Sequence, residues 1–116
     1  MVSNYIPNRG DVVWLPFDPI KGSEQAGKRP ALVLSSIKYN RVSRLIIVCP
    51  ITTKKKGYMG EVELPPDLPV KGVILTDHIR SVDWRARKAA KRCAVPDSVM
   101  LSVWKRVRVL IDPTIS

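Results

Sequence analysis

The sequence predicts a mainly β domain: a small, strongly twisted antiparallel sheet or barrel with one helix packed on it at the C-terminus. Most of the chain is a series of short β-branched or apolar runs punctuated by Gly, Pro, Asn and Asp. Only the last stretch has helical spacing. There Val99, Val103, Val107 and Leu110 recur at three- to four-residue intervals after the start signal Pro96-Asp97-Ser98, with Lys105, Arg106 and Arg108 between them. The 116 residues contain no repeat and no linker, so residues 1–116 read as a single domain.

Each element has its own signal. Gly10–Phe17 is a β-rich run opened by a Gly-Asp turn, and Pro16 marks an edge or an irregular end. Asp18–Lys28 is polar, glycine-bearing and aperiodic, which reads as a long functional loop. Arg29–Ser36 is a second strand whose Ala31-Leu32-Val33-Leu34 core suits burial on both faces. Ser35–Arg44 is a connection with a helical turn around Lys38-Tyr39-Asn40, and Arg44–Pro50 is a third strand. Thr52–Gly60 is a basic loop, and Glu61–Leu64 alternates as a half-exposed strand until Pro65–Pro69 stops it. Gly72–Thr76 and His78–Val82 read as two more strands, or one long strand with a bend. Trp84–Arg92 is strongly basic and has room for a short helix.

Composition narrows the function. Lys and Arg number 20 against 10 Asp and Glu, a formal net charge of +10. An excess of that size points to a polyanionic partner, nucleic acid before acidic protein. No apolar run approaches a membrane span, and Met1-Val2-Ser3-Asn4-Tyr5 has no secretory pattern, so a cytoplasmic protein is expected. Cys49 and Cys93 are far apart and read as reduced thiols, Cys49 in a buried strand. With His78 as the single histidine, no metal-ligand spacing is present, so no metal or cofactor is expected and any catalysis falls to side chains.

Several blocks together resemble one family. They are Gly10-Asp11-Val12-Val13-Trp14, Phe17-Asp18-Pro19, and Gly22-Ser23-Glu24-Gln25-Ala26-Gly27-Lys28-Arg29-Pro30-Ala31. Val33-Leu34-Ser35, Cys49-Pro50-Ile51-Thr52-Thr53 and Lys56-Gly57-Tyr58 continue the match, and Gly72 through Arg87 complete it. In these the chain resembles the MazF/PemK toxins of type II toxin–antitoxin systems, and the chromosomal MazF branch more than the plasmid PemK/Kid branch. The resemblance implies an SH3-like barrel of the CcdB/MazF type and a two-fold homodimer. It implies a sequence-specific, metal-independent endoribonuclease that cuts single-stranded RNA (mRNA) at a short motif and inhibits translation and growth. It also implies an acidic, MazE-like antitoxin partner. By matching position it puts catalysis on Arg29 and Thr52, with Glu24 in the loop that shapes the site.

These residue types suit that chemistry. RNA carries its own nucleophile, the 2′-hydroxyl, so a nuclease need only activate it, stabilise the phosphorane and protonate the leaving 5′-oxygen. The planar fork of Arg29 can hold two phosphate oxygens at once, and its high pKa favours charge stabilisation over proton transfer. Thr52 can donate to a phosphate oxygen or position the 2′-hydroxyl, and lacks the base partner a covalent nucleophile needs. Glu24 could serve as general base or as an ion-pair partner of Arg29. Taken without the family, Arg29 is better read as an ordinary cation at a strand start, and Thr52 as a strand-end threonine bonded to backbone.

A phosphate-binding track is expected from Lys28, Lys54, Lys55, Lys56, Arg80, Arg85, Arg87 and Lys88. Tyr58 is a stacking candidate, while Trp14, on an alternating strand, reads as core. His78 reads as structural or as a base contact, and Asp77 as orienting a base or a cation. Two other functions fit the same composition: a CcdB-like topoisomerase poison, and a basic nucleic-acid-binding barrel without chemistry.

Overall fold

A computed structural model describes residues 4–16 and 28–115. Among the described residues the elements run β1 (Asp11–Pro16), β2 (Lys28–Val33), α1 (Ile37–Ser43), β3 (Leu45–Thr52), β4 (Glu61–Glu63), β5 (Val73–Leu75), β6 (Arg80–Asp83), β7 (Ala90–Ala94) and α2 (Asp97–Ile111). The strands pair antiparallel in the order β4-β5-β3-β2-β1-β7, and β6 also pairs with β3.

β3 explains the curvature. One edge pairs with β2, Ala31 facing Pro50 and Val33 facing Val48. The other edge is shared: its first half pairs with β6 through Leu45–Val48, and its end pairs with β5 through Ile51 and Thr52. A single strand therefore bends between two sheets, as twisted barrels require. The stretch from Gly72 to Val82 is accordingly two short strands with a turn, in which the His78 amide donates to the Leu75 carbonyl at 3.1 Å.

The core lies on both faces of the central strands. Val12, Leu32, Cys49, Ile51 and Ile74 form one side with Val99, Val103 and Val107 of α2. Val13, Leu15, Ala31, Val33, Ile46, Val48 and Val82 form the other. Hence Ala31, Leu32 and Val33 are all fully buried, as their uninterrupted apolar run implies. A register shift between Val12 and Val13 in the β1–β7 pairing marks an irregularity where β1 crosses the two layers.

Three expectations change. The helical turn near Lys38 is a seven-residue helix, N-capped by Ser36, whose Oγ accepts the Tyr39 amide at 3.3 Å, and ended by Arg44 at φ 65°. The segment Trp84–Arg92 holds no helix. Asp83 Oδ1 accepts the amides of Arg85 and Ala86 at 3.0 and 2.9 Å, which folds Trp84–Lys88 into a turn. Lys88, at φ 53°, then sends the chain into β7. On α2, Val99, Val103 and Val107 are buried, but Leu110 is 56% exposed along with Leu101, Trp104, Val109 and Ile111. The helix is thus apolar on more than its core face.

Asn40 ties the layers together. Its fully buried side chain accepts the Ser35 hydroxyl at 2.5 Å and donates to the carbonyls of Pro7 and Ser35 at 2.8 and 3.1 Å. Its own carbonyl accepts Trp84 Nε1 at 2.8 Å. Near by, buried Asp11 accepts the Tyr5 hydroxyl at 2.6 Å and lies 3.6 Å from Lys91 Nζ.

Candidate active site

β2 and β3 bring Arg29 and Thr52 together. The β2–β3 ladder ends at the Ala31–Pro50 pair, and Arg29 and Thr52 each lie two residues beyond it at the same end. Both side chains line a cleft of about 510 Å³ whose other walls are Trp14 and Pro30 from β1 and β2, Lys54 after β3, and Pro69-Val70-Lys71 from the β4–β5 loop. A larger groove, about 690 Å³, runs along α2 past Leu34, Leu101 and Trp104. It is mainly apolar and does not contain Arg29 or Thr52.

The cleft is electropositive. Arg29, Lys54 and Lys71 line it, and no carboxylate does so among the described residues. Thr52 ends its strand with an ST-type turn: its Oγ1 accepts the Lys54 amide at 3.1 Å. This is the backbone-satisfying role a strand-end threonine commonly plays. It also occupies an acceptor position of the hydroxyl, leaving the proton available to donate into the cleft.

Trp14 was expected in the core, and the structure corrects that. β1 places it half-buried, beside Pro30 at the cleft. There it lines the cleft with Ile51 and Val70, which belong to the same packed layer as Val12. Pro69, Val70 and Lys71 were not foreseen as site residues, because the Pro65–Pro69 run reads in sequence only as a strand stop.

The remaining expected residues divide into groups. Glu24 lies outside the described residues, and of Lys28 only the backbone, at the start of β2, is described. Tyr58, Asp77 and His78 cluster at the β5–β6 turn, away from the cleft lining. There the Tyr58 hydroxyl donates to Asp77 Oδ1 at 2.8 Å, and His78 Nε2 lies 3.8 Å from the same oxygen. The hydrogen bond to Asp77 pushes the Tyr58 phenol up to about 12. Tyr58 is held at its hydroxyl by a carboxylate while still 38% exposed.

The lysine run is not uniform. Lys55 Nζ is ion-paired and hydrogen-bonded with Glu63, both well exposed. The Lys56 and Gly57 amides both donate to the Glu61 carboxylate at 2.8 Å, which fixes the loop backbone. Lys54 lines the cleft instead. Arg80 and Arg85 are exposed on β6 and the following turn, and Lys88 is exposed in that turn. Arg87 is half-buried and donates from Nη1 to the Pro16 carbonyl at 3.1 Å, a bond that joins the turn to β1. Among the described residues no three His, Cys, Asp or Glu side chains converge as a metal-holding group. Cys49 and Cys93 are free thiols.

Comparison with known proteins agrees with this arrangement. Residues 8–111 match the family described as PemK-like, MazF-like toxin of type II toxin–antitoxin system. The chain is 45% identical over 111 residues to the endoribonuclease toxin MazF of Escherichia coli K12, covering 96% of this chain and 99% of that protein. It is 30% identical to the endoribonuclease PemK of Escherichia coli, over 89% of this chain and 80% of that one. A chain of the MazE–MazF crystal structure from Deinococcus radiodurans superposes with a TM-score of 0.90 at 46% identity, covering 96% of this chain and all of its own. A fold of this topology, a cationic Arg–Thr cleft and near full-length matches place the chain in the MazF/PemK toxin family.

Proposed function

We propose that this chain is a metal-independent endoribonuclease toxin that cuts single-stranded RNA, mRNA in the cell, at a short sequence motif, and so inhibits translation and growth. The observation that carries the reading is the cleft in which Arg29 and Thr52 meet with no opposing carboxylate among the described residues. The matched relatives carry the name endoribonuclease, which supports it.

The reaction follows from those groups. The 2′-oxygen attacks the adjacent phosphorus, loses its proton to a base, and the P–O5′ bond breaks as the 5′-oxygen gains a proton. The products are a 2′,3′-cyclic phosphate and a 5′-hydroxyl. Arg29 neutralises the dianionic phosphorane through two donors, and the Thr52 hydroxyl donates to a phosphate oxygen or positions the nucleophile. Glu24 is the carboxylate the sequence offers as the base. DNA lacks the nucleophile and is not cut.

Single-stranded substrate suits a cleft with cations on several sides and the Trp14 ring at its edge. Base preference is assigned to the exposed Tyr58–Asp77–His78 cluster, and backbone binding to Lys28, Lys54, Lys55, Lys56, Arg80, Arg85 and Arg87. The same positive surface suits an acidic antitoxin segment that competes with RNA, and the D. radiodurans relative was crystallised as MazE–MazF. A homodimer is supported by the exposed apolar side chains Leu101, Trp104 and Leu110 on α2. Action on mRNA places the chain in the cytoplasm, and no helix among the described residues is long and apolar enough to cross a membrane.

The test is incubation with a long unstructured RNA in excess EDTA beside Arg29→Ala and Thr52→Ala, with the ends mapped. Discrete cuts bearing cyclic phosphate, lost in both variants, are expected. Intact RNA with the wild type overturns the reading; retention of RNA without cutting would indicate a binding barrel.

A further inference from the structure

We infer that Lys71 is a second phosphate-binding residue of the Arg29–Thr52 cleft, contacting a backbone phosphate beside the scissile one. The inference rests on the RNA-cleaving reading above, which assigns no role to this loop. Lys71 stands on the wall built by the β4–β5 loop, whereas Arg29 stands on β2. A strand lying between them would meet a cation on each side.

The loop is built to hold that position. Val70, next to Lys71, is 5% exposed and sits in the core with Leu64, while Leu68 packs partly against it. The Leu64 amide donates to the Gly72 carbonyl at 3.1 Å and closes the loop at its base. Pro65, Pro66 and Pro69 restrict the intervening backbone. Little entropy remains to be lost when a ligand arrives, so a contact from this loop retains more of its gross energy.

The charge is also available. Lys71 lines the cleft, and its Nζ donates to the Pro66 carbonyl, a neutral acceptor that leaves the charge uncancelled and further ammonium protons for a phosphate. Lys55, by contrast, is ion-paired with Glu63. No carboxylate among the described residues pairs with Lys71. An ammonium acts as a point charge that tolerates varied phosphate geometry. Lys71 therefore holds the strand without reading its bases, which separates it from Arg29, whose fork suits the reacting phosphorus.

The experiment measures binding of a short, fluorescein-labelled, mixed-sequence 2′-O-methyl RNA by anisotropy across a salt series, and cleavage of unmodified RNA in parallel. Wild type, Lys71→Gln, Lys71→Arg and the remote surface variant Lys38→Gln are compared. Lys71→Gln is expected to weaken binding and raise KM about tenfold at unchanged kcat, and to reduce the slope of log affinity against log salt by about 0.7. Lys71→Arg should keep the wild-type slope, and Lys38→Gln should match wild type. An unaltered slope and affinity in Lys71→Gln overturn the inference. A wild type that binds but never cuts refutes the nuclease reading, while the binding slopes still decide the role of Lys71.

Discussion

Gly72 lies directly against the backbone carbonyl of Thr52. A β-carbon built on Gly72 would overlap the Thr52 carbonyl oxygen and come within 2.8 Å of its carbonyl carbon and 3.2 Å of the Thr53 nitrogen. Gly72 itself adopts φ 122°, a region side-chain-bearing residues rarely enter. The β4–β5 loop and the end of β3 are therefore in backbone contact, and only glycine permits it.

Gly72→Ala is expected to move Thr52 as well as strain the turn. Stability should fall by about 1–3 kcal/mol, and kcat should fall at temperatures where the variant is still fully folded. Circular dichroism melting beside single-turnover cleavage checks this. A variant with lowered Tm but wild-type kcat would show that the contact supports the fold alone.

Arg29→Lys separates charge from geometry. Lysine keeps the cation but cannot bind two phosphate oxygens as a planar fork. The cleavage rate should fall by about 10²–10³, close to the loss in Arg29→Ala. Arg29 is exposed at the cleft, so Tm should stay near wild type in both. Near-normal rates in the lysine variant would reduce the role of Arg29 to simple charge.

Asn40 is the polar hub, and its loss should be felt far from the cleft. Asn40→Ala removes its bonds to Pro7 and Ser35 and leaves buried partners unpaired. The expected cost is about 2–4 kcal/mol, read as a lower urea midpoint. A midpoint like wild type would mean that water replaces the amide.

Alkaline pH should destabilise the fold through its thiols. Burial, reinforced by the negative charge of Asp77, pushes Cys49 from 9.0 up to about 12. The native thiol stays protonated where the unfolded one ionises. The unfolded state then binds fewer protons, and stability falls as pH rises from about 9 toward 12, by at most about 1.4 kcal/mol per unit. Cys93, also raised by burial, adds the same sign, and Tyr5 and Tyr58 join above about pH 10. Urea midpoints across that range should drop, and Cys49→Ala should fall less steeply between about pH 9 and 10. Parallel curves for wild type and Cys49→Ala would contradict a buried, protonated thiol.

The sequence by itself determined the strand-rich character, the closing helix and the sign of the partner's charge. These are local or summed properties: β-branched runs between turn residues, valines at helical spacing, and twice as many cations as anions. The motif around Arg29 and the Pro50–Thr53 block marked two of the residues that share the cleft through the family resemblance, since by type alone they read as an ordinary cation and a strand-end threonine. What the sequence could not state depends on where distant segments land. Trp14 looks like any alternating core residue, yet it lies half-buried against the cleft. Trp84–Arg92 has no turn residue to break a helix, yet one carboxylate oxygen of Asp83 caps two amides and turns it. Lys54 and Lys55 are adjacent and identical in type, but Glu63 on β4 pairs with Lys55 while Lys54 lines the cleft. The proline-rich stop became a wall of that cleft only because Gly72, carrying no β-carbon, lets its backbone rest on Thr52.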